Sequence, residues 1–68
     1  MYNIGENLRI SREERNKTVY DVERDLKINH TQIYRWEQNK NEPSIMQCIK
    51  LADYYGISLD DLVGRDIP

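Results

Sequence analysis

The sequence predicts an all-α protein, a compact bundle of five short helices joined by short connections. Capping residues recur along the chain, each followed three positions later by an acid or an amide, which is the pattern of a helix N-terminus. Residue types that tolerate a left-handed backbone stand where these helices should end. No stretch alternates cleanly between apolar and polar residues, so β-strands lack support.

Each helix is predicted from a start signal and a stop signal. The start signals are the pairs Asn3 with Glu6, Thr18 with Asp21, Asn29 with Gln32, Ser44 with Gln47, and Ser58 with Asp61. The stop signals are Asn16, Asn39, Gly56 and Gly64. Helices are therefore expected near residues 4–15, 19–26, 30–38, 45–55 and 59–63. Apolar spacing agrees, and on the fourth helix it involves Ile45, Cys48, Ile49, Ala52 and Tyr55.

Length and composition limit what the chain can be. Its 68 residues and 8.2 kDa suit one small domain over residues 1–68, with an ordered core over residues 2–64 and a frayed end at residues 65–68. The formal net charge of −2 and the pI near 5.3 exclude a generally basic surface but allow a local basic face. One cysteine and one histidine exclude an internal disulfide and a metal site built from either type, so neither a metal nor a cofactor is expected.

Catalysis and membrane insertion find no support in the sequence. A nucleophile–base constellation, a phosphate loop and metal-ligand spacing are all missing, which makes an enzyme the weakest interpretation. No apolar run approaches the roughly 18 residues of a membrane span, and no signal peptide opens the chain. We therefore expect a cytoplasmic protein without membrane contact.

The second and third predicted helices form the most informative segment. Only Lys27, Ile28 and Asn29 separate them, and so short a link between short helices fits a helix-turn-helix. On the third helix, Ile33 and Trp36 mark the buried side, and its one acid, Glu37, falls at the edge of that side. The opposite side carries hydrogen-bond donors, an aromatic ring and a guanidinium without a carboxylate, on His30, Thr31, Tyr34, Arg35 and Gln38.

Positive charge is concentrated on the same segment. Residues 27–41 hold three bases against one acid, whereas residues 1–26 carry a net charge of −1 and residues 42–68 carry −3. The positive potential therefore lies on the turn and the third helix, and the acidic remainder should face away from any polyanion.

The run from Thr18 to Pro43, TVYDVERDLKINHTQIYRWEQNKNEP, resembles the lambda-repressor-like helix-turn-helix family of Cro and phage-repressor type, also called the XRE family. The opening IGENLR and the ending IKLADYYGISLDDLVG resemble it as well, so the resemblance covers most of the 68 residues. It implies a five-helix bundle and a transcription regulator that binds a DNA operator as a dimer.

The resemblance also implies roles for individual residues. The base-reading positions are His30, Thr31, Gln32 and Arg35, and the phosphate-contacting positions are Thr18, Asn29, Tyr34, Asn39 and Lys40. A structural ion pair between the first and third helices is implied for Arg12 and Glu37. Relatives often have Gln, Ala and Gly where this chain has Val19, Glu23 and Lys27. Lys27 therefore predicts a turn that is either strained or differently shaped, and the carboxylate of Glu23 must find a partner or reach solvent.

Several of these side chains have simpler interpretations. Arg35 fits a fork onto guanine O6 and N7, a phosphate contact or a solvated position, and His30 is either a DNA contact or an exposed side chain. Trp36 is expected in the core rather than as a platform for a single-stranded base. Cys48 is expected as an inert core residue rather than a redox sensor.

More apolar and aromatic surface lies near the fifth helix than one small core absorbs. We expect a homodimer interface there, and the candidate residues are Tyr54, Leu59, Leu62, Val63 and Ile67. The alternative is core packing followed by a frayed tail, with Asp60, Asp61 and Asp66 as a solvated rim.

The sequence thus predicts a sequence-specific regulator of transcription that binds double-stranded DNA, acts as a repressor and places residues 30–38 in the major groove. The alternative is a protein-interaction module on the same fold, an antitoxin-like or anti-regulator partner with weak DNA binding. The acidic balance, Val19 and Glu23 favour that alternative.

Overall fold

Five helices make up most of residues 3–64, the part of the chain that this computed structural model describes. They are α1 (Ile4–Glu14), α2 (Val19–Leu26), α3 (His30–Glu37), α4 (Ile45–Tyr55) and α5 (Leu59–Val63). Their order matches the prediction, although α1 and α3 each end one residue earlier than predicted. No strand forms among residues 3–64, and the all-α fold class is confirmed.

Hydroxyl side chains start three of the helices as predicted. Thr18 and Ser44 form complete capping boxes with Asp21 and Gln47, in which each partner satisfies a backbone N–H of the other. Ser58 caps α5 by accepting a backbone N–H of the first turn at 3.0 Å. These bonds satisfy N–H groups that have no partner within their own helix.

The other two helices start differently from the prediction. Asn29 caps α3, but it accepts the N–H of Thr31 at 2.8 Å and does not pair with Gln32 as predicted. Its side chain is short and reaches the second helical position, which is an ordinary capping geometry. At α1, the side chain of Asn3 donates to Glu6 and caps no backbone N–H.

The predicted stop residues all have a left-handed backbone. The φ angles are 56° at Asn16, 59° at Asn39, 71° at Gly56 and 79° at Gly64. A fifth left-handed residue, Lys27 with φ 61°, ends α2. The predicted strain at this turn is therefore present, because a side chain at positive φ is crowded against its own backbone.

The core draws on every helix. Its buried apolar residues are Leu8, Val22, Leu26, Ile33, Trp36, Cys48, Leu51, Ala52, Tyr55 and Leu62. Trp36 is only 1% exposed, which excludes a stacking platform on its ring. Burial raises the pKa of the Cys48 thiol, so this cysteine stays protonated and unreactive.

Two apolar positions used to predict α4 do not lie in the core. Ile45 is 63% exposed and Ile49 is 39% exposed, and Met46 between them is 69% exposed. The buried stripe of α4 follows Cys48 and the residues three, four and seven positions after it, so the two isoleucines lie beside this stripe.

Residues 3–64 measure 36 × 23 × 20 Å along their principal axes. Within this range, no helix is long and apolar enough to cross a membrane. The same residues hold no group of three or more His, Cys, Asp or Glu side chains arranged to bind a metal ion.

Candidate nucleic-acid interface

The turn between α2 and α3 is held by hydrogen bonds and packing. Lys27 has φ 61° and ψ 34°, and its N–H donates to the carbonyl oxygen of Glu23 at 2.8 Å. The ammonium of Lys50 reaches from α4 and donates to the carbonyl oxygen of Leu26 at 2.9 Å. Ile28 packs against the core. Together these contacts fix the direction in which α3 leaves the turn.

The outer side of α3 presents polar side chains to solvent. Thr31, Arg35 and Gln38 are exposed, and Tyr34 is 51% exposed. Gln32 is half-buried. None of these residues is acidic, so α3 itself places no negative charge on this side.

The acid of α3 is turned into the protein and neutralised there. Glu37 is 5% exposed, and both of its carboxylate oxygens accept from Arg12 of α1. The Arg12 Nε to Oε2 distance is 2.7 Å and the Nη2 to Oε1 distance is 2.9 Å. Arg12 Nη1 also donates to the carbonyl oxygen of Lys17 at 2.8 Å, and the bond to Glu37 raises the pKa of Arg12. This fork fastens α3 to α1 and keeps the Glu37 charge off the outer side.

His30 is held at the entry of α3 by two residues of α2. Oε2 of Glu23 accepts the backbone N–H of His30 at 2.8 Å and lies 3.1 Å from its Nδ1. The ring of Tyr20 packs against the imidazole of His30, with 4.6 Å between the ring centroids and a 41° tilt between the ring planes. The backbone N–H of His30 is the main cause that lowers the pKa of Glu23.

Sequence reasoning missed the roles of Tyr20 and Glu23 at this site. It expected the Glu23 carboxylate either to find a partner or to reach solvent, and it named no partner. The signal was present, because the first turn of the next helix offers N–H groups that attract a carboxylate, and Glu23 lies one turn before the end of α2.

Two of the predicted phosphate contacts also cap helices. Thr18 Oγ1 accepts the N–H of Asp21 at 3.1 Å, and Thr18 N–H donates to Asp21 Oδ2 at 2.8 Å. Asn29 uses its Oδ1 on Thr31. The hydroxyl proton of Thr18 and the Nδ2 group of Asn29 are the remaining donors, and both residues are exposed.

Asn39 and Lys40 follow α3 and are exposed. The left-handed Asn39 accepts the N–H of Gly5 on its Oδ1 at 3.2 Å, so it joins the end of α3 to the start of α1. Gly5 is required there, because a Cβ at this position would lie 2.7 Å from the carbonyl oxygen of Trp36. The N–H of Lys40 donates to the carbonyl oxygen of Arg35 at 3.0 Å.

The predicted dimer candidates differ in burial. Leu62 is 0% exposed and belongs to the core, so its assignment to an interface is corrected. Tyr54, Leu59 and Val63 are half-buried, and the hydroxyl of Tyr54 donates to a carboxylate of α2. Ile67 lies outside the described residues.

Comparison with curated proteins and with solved structures gave no match in either case. A profile of the helix-turn-helix family matches residues 8–62, which contain all of α2, α3 and α4 and most of α1 and α5. The matched residues are more than half of the chain, and they include the turn and the outer side of α3. The chain therefore belongs to the helix-turn-helix family of Cro and phage-repressor type, whose domains bind DNA.

Proposed function

We propose that this chain is a sequence-specific regulator of transcription, a repressor, that reads the major groove of double-stranded DNA with α3. The outer side of α3 carries the proposal, because it holds donors and a guanidinium while the acid of the same helix is paired internally. DNA phosphates repel carboxylates. The chain as a whole has a net charge of −2, so a helix side without acids is the part of its surface best able to approach DNA.

Base reading falls to the side chains nearest the helix start and to one arginine further along. They are His30, Thr31, Gln32 and Arg35. Of these, Arg35 has the strongest chemistry, because a guanidinium forks onto guanine O6 and N7 in the major groove. Thr31 is exposed and Gln32 half-buried, and a hydroxyl or an amide hydrogen-bonds a base edge at short range.

Phosphate contacts would come from the rim of the same surface. Lys40 and Tyr34 are exposed, and the capping residues Thr18 and Asn29 present donors at the positive ends of α2 and α3. Asn39 keeps its Nδ2 group for a phosphate while its Oδ1 holds Gly5. Such contacts set the orientation of the helix on DNA without selecting bases.

We infer a homodimer, since two copies related by a two-fold axis place their reading helices about 34 Å apart, one turn of DNA. Tyr54, Leu59 and Val63 are its candidate contacts among the described residues.

Occupying an operator excludes other proteins from it, which is the simplest route to repression. We also infer that the protein acts in the cytoplasm, because its proposed partner is cellular DNA.

Selection from a pool of randomised duplexes tests the proposal. At about 50 mM salt weak phosphate-driven binding persists, whereas about 200 mM removes most of it. We expect a roughly palindromic motif that survives the higher salt. Binding without enrichment that is lost at the higher salt would contradict sequence reading.

Two variants separate base contacts from phosphate contacts in the same selection. Arg35→Ala should weaken specific binding by about 1–3 kcal/mol and relax one base position. Lys40→Ala is the control, which should weaken binding to all sequences alike and reduce the salt slope by about one. An unchanged motif and affinity in a folded Arg35→Ala protein would remove Arg35 from the reading set.

A protein-interaction module remains the second candidate function, and the apolar side of α4 favours it. Ile45, Met46 and Ile49 are all exposed on one helix. Recovery of another polypeptide rather than DNA at physiological salt would favour this candidate.

A further inference from the structure

His30 differs from the other predicted base-reading side chains because neighbours hold it in place. Its backbone N–H, its Nδ1 and its ring each have a contact from α2. Among residues 3–64, the side chains of Thr31, Gln32 and Arg35 make no hydrogen bond with the protein. His30 is therefore ordered before any ligand arrives, whereas the others must be ordered by binding.

The contact with Glu23 decides where the imidazole carries its proton. An ionised carboxylate has no hydrogen to donate and only accepts. The pKa of Glu23 is lowered, so this carboxyl group is ionised near neutral pH. Nδ1 must therefore be the donor in the 3.1 Å contact. In a neutral ring, Nε2 then carries a lone pair and accepts hydrogen bonds.

We propose that Glu23 and Tyr20 are specificity-determining positioning residues, which fix the His30 ring with its proton on Nδ1 so that Nε2 accepts from an exocyclic amino group of a base. In the major groove, adenine N6 and cytosine N4 offer such a group. Guanine presents only N7 and O6, which are acceptors, so it is disfavoured at this base position.

Tyr20 supplies the second constraint on the ring. Its side chain is 62% exposed and is the aromatic partner of His30, with 4.6 Å between the ring centroids. A hydrogen bond at Nδ1 alone still allows the imidazole plane to rock about that bond. A tyrosine ring packed against the imidazole restricts this motion and thereby limits the directions in which Nε2 can point.

The tautomer is measurable without DNA, because His30 is the one histidine in the chain. Ring ¹⁵N chemical shifts, followed to a pH at which they no longer change, report which nitrogen carries the proton in the neutral ring. We expect a protonated Nδ1 in the native protein and in Glu23→Gln, whose amide oxygen still accepts. In Glu23→Ala the proton should move toward Nε2, as in free histidine. A native protein with its proton on Nε2 overturns the proposal.

Because the base preference rests on the proposed function, the DNA selection is repeated at about pH 8 with three variants. Glu23→Ala should admit guanine at one position at least about fivefold more often, while the position read by Arg35 stays unchanged. Glu23→Gln should keep the native preference. Glu14→Ala removes an equally charged side chain from α1, 69% exposed, and is the matched control expected to change no position.

The outcomes separate the two levels of inference. A native protein that enriches no motif overturns the proposed function and, with it, the reading role of His30. A native motif that Glu23→Ala leaves unchanged, or weakens equally at every position, overturns the positioning role of Glu23 alone. Tyr20→Leu should broaden the same base position without changing the tautomer, and an unchanged position would remove Tyr20 from the proposal.

Discussion

Two connections in this bundle have the same plan but begin with different residues. Residues 27–29 join α2 to α3, and residues 56–58 join α4 to α5. Each begins with a left-handed residue, Lys27 at φ 61° and ψ 34° or Gly56 at φ 71° and ψ 34°. An isoleucine packed against the core comes second in both, and a capping residue for the next helix comes third.

The difference at the first position separates stability from function. A side chain in the left-handed region costs about 1–2 kcal/mol, which a glycine avoids. Nothing lies within 4 Å of a Cβ placed on Gly56, so conformation alone favours glycine there. The α2–α3 turn has Lys27 instead, which places a positive charge at the entry of α3, the proposed reading helix. The turn before the proposed reading helix thus carries a left-handed cost that the α4–α5 turn avoids.

The largest expected effect on stability comes from the C-terminal end of α3, where Glu37 is anchored to α1. A strained turn at the start of α3 makes this anchor at its other end important. Arg12→Ala should lower the free energy of unfolding by about 3–5 kcal/mol, because it leaves the buried Glu37 carboxylate without a partner. Urea unfolding followed by circular dichroism measures this loss.

An exposed ion pair provides the control. Arg9 Nη1 lies 3.0 Å from Glu13 Oε1, and the two side chains are 40% and 53% exposed. Arg9→Ala should change the unfolding free energy by about 0–1 kcal/mol. Similar losses in the two variants would show that the Arg12 fork does not anchor α3.

Placing a lysine at the first position of the α4–α5 turn is the next test. Gly56→Lys should destabilise the protein by about 1 kcal/mol, since the new side chain meets open space and only the positive φ opposes it. Gly56→Asn should lose less stability than Gly56→Lys, because asparagine tolerates the left-handed conformation better than lysine. If both variants kept full stability in urea unfolding, the left-handed cost would not separate the two turns.

The reverse exchange should separate stability from binding. Lys27→Gly should raise the free energy of unfolding by about 0.5–1 kcal/mol by relieving the left-handed strain. It should also weaken DNA binding at low salt, because it removes a charge beside α3. Unfolding curves and DNA titrations at two salt concentrations measure both effects. If stability and DNA affinity both rose or both fell, the proposed opposition between them would be contradicted.

Most of the fold was predictable because its signals are local. A capping hydroxyl such as Thr18 and a stop residue such as Gly64 act within one turn of the chain, so the sequence alone locates them. The two exposed isoleucines of α4 were not predictable in this way. Periodicity shows that Ile45 and Ile49 lie near an apolar stripe, but only the neighbouring helices decide how wide the covered stripe is.

The site was predictable where one helix determines it. The outer side of α3 follows from the buried positions of Ile33 and Trp36. For Glu23 the sequence held only part of the signal, the free N–H groups at the start of α3, because whether its carboxylate reaches His30 depends on how α2 and α3 lie across the turn. Leu62 shows the same limit, since only the packed structure assigns an apolar residue of α5 to the core rather than to an interface.

The smallest expected effect is on the pH dependence of stability, and it comes from a difference in charge between the N-terminus of α3 and that of α5. Oε2 of Glu23 accepts the His30 N–H at the entry of α3, whereas the neutral hydroxyl of Ser58 caps α5. The lowered pKa of Glu23 means that its contribution to stability is complete above its ordinary value near 4.5. That contribution disappears as the pH falls through the lowered pKa.

Acid unfolding of matched variants tests this difference in charge. From about pH 5 to pH 3, Glu23→Gln should lose less stability than the native protein, because its amide does not titrate in that range. Ser58→Ala should lower stability by about 1 kcal/mol with a pH dependence parallel to that of the native protein. The other carboxylates are common to all three proteins and cancel in the comparison. Parallel curves for Glu23→Gln and the native protein would mean that the ionised carboxylate adds nothing to the stability of the entry of α3, and the two connections would then not differ in their pH dependence.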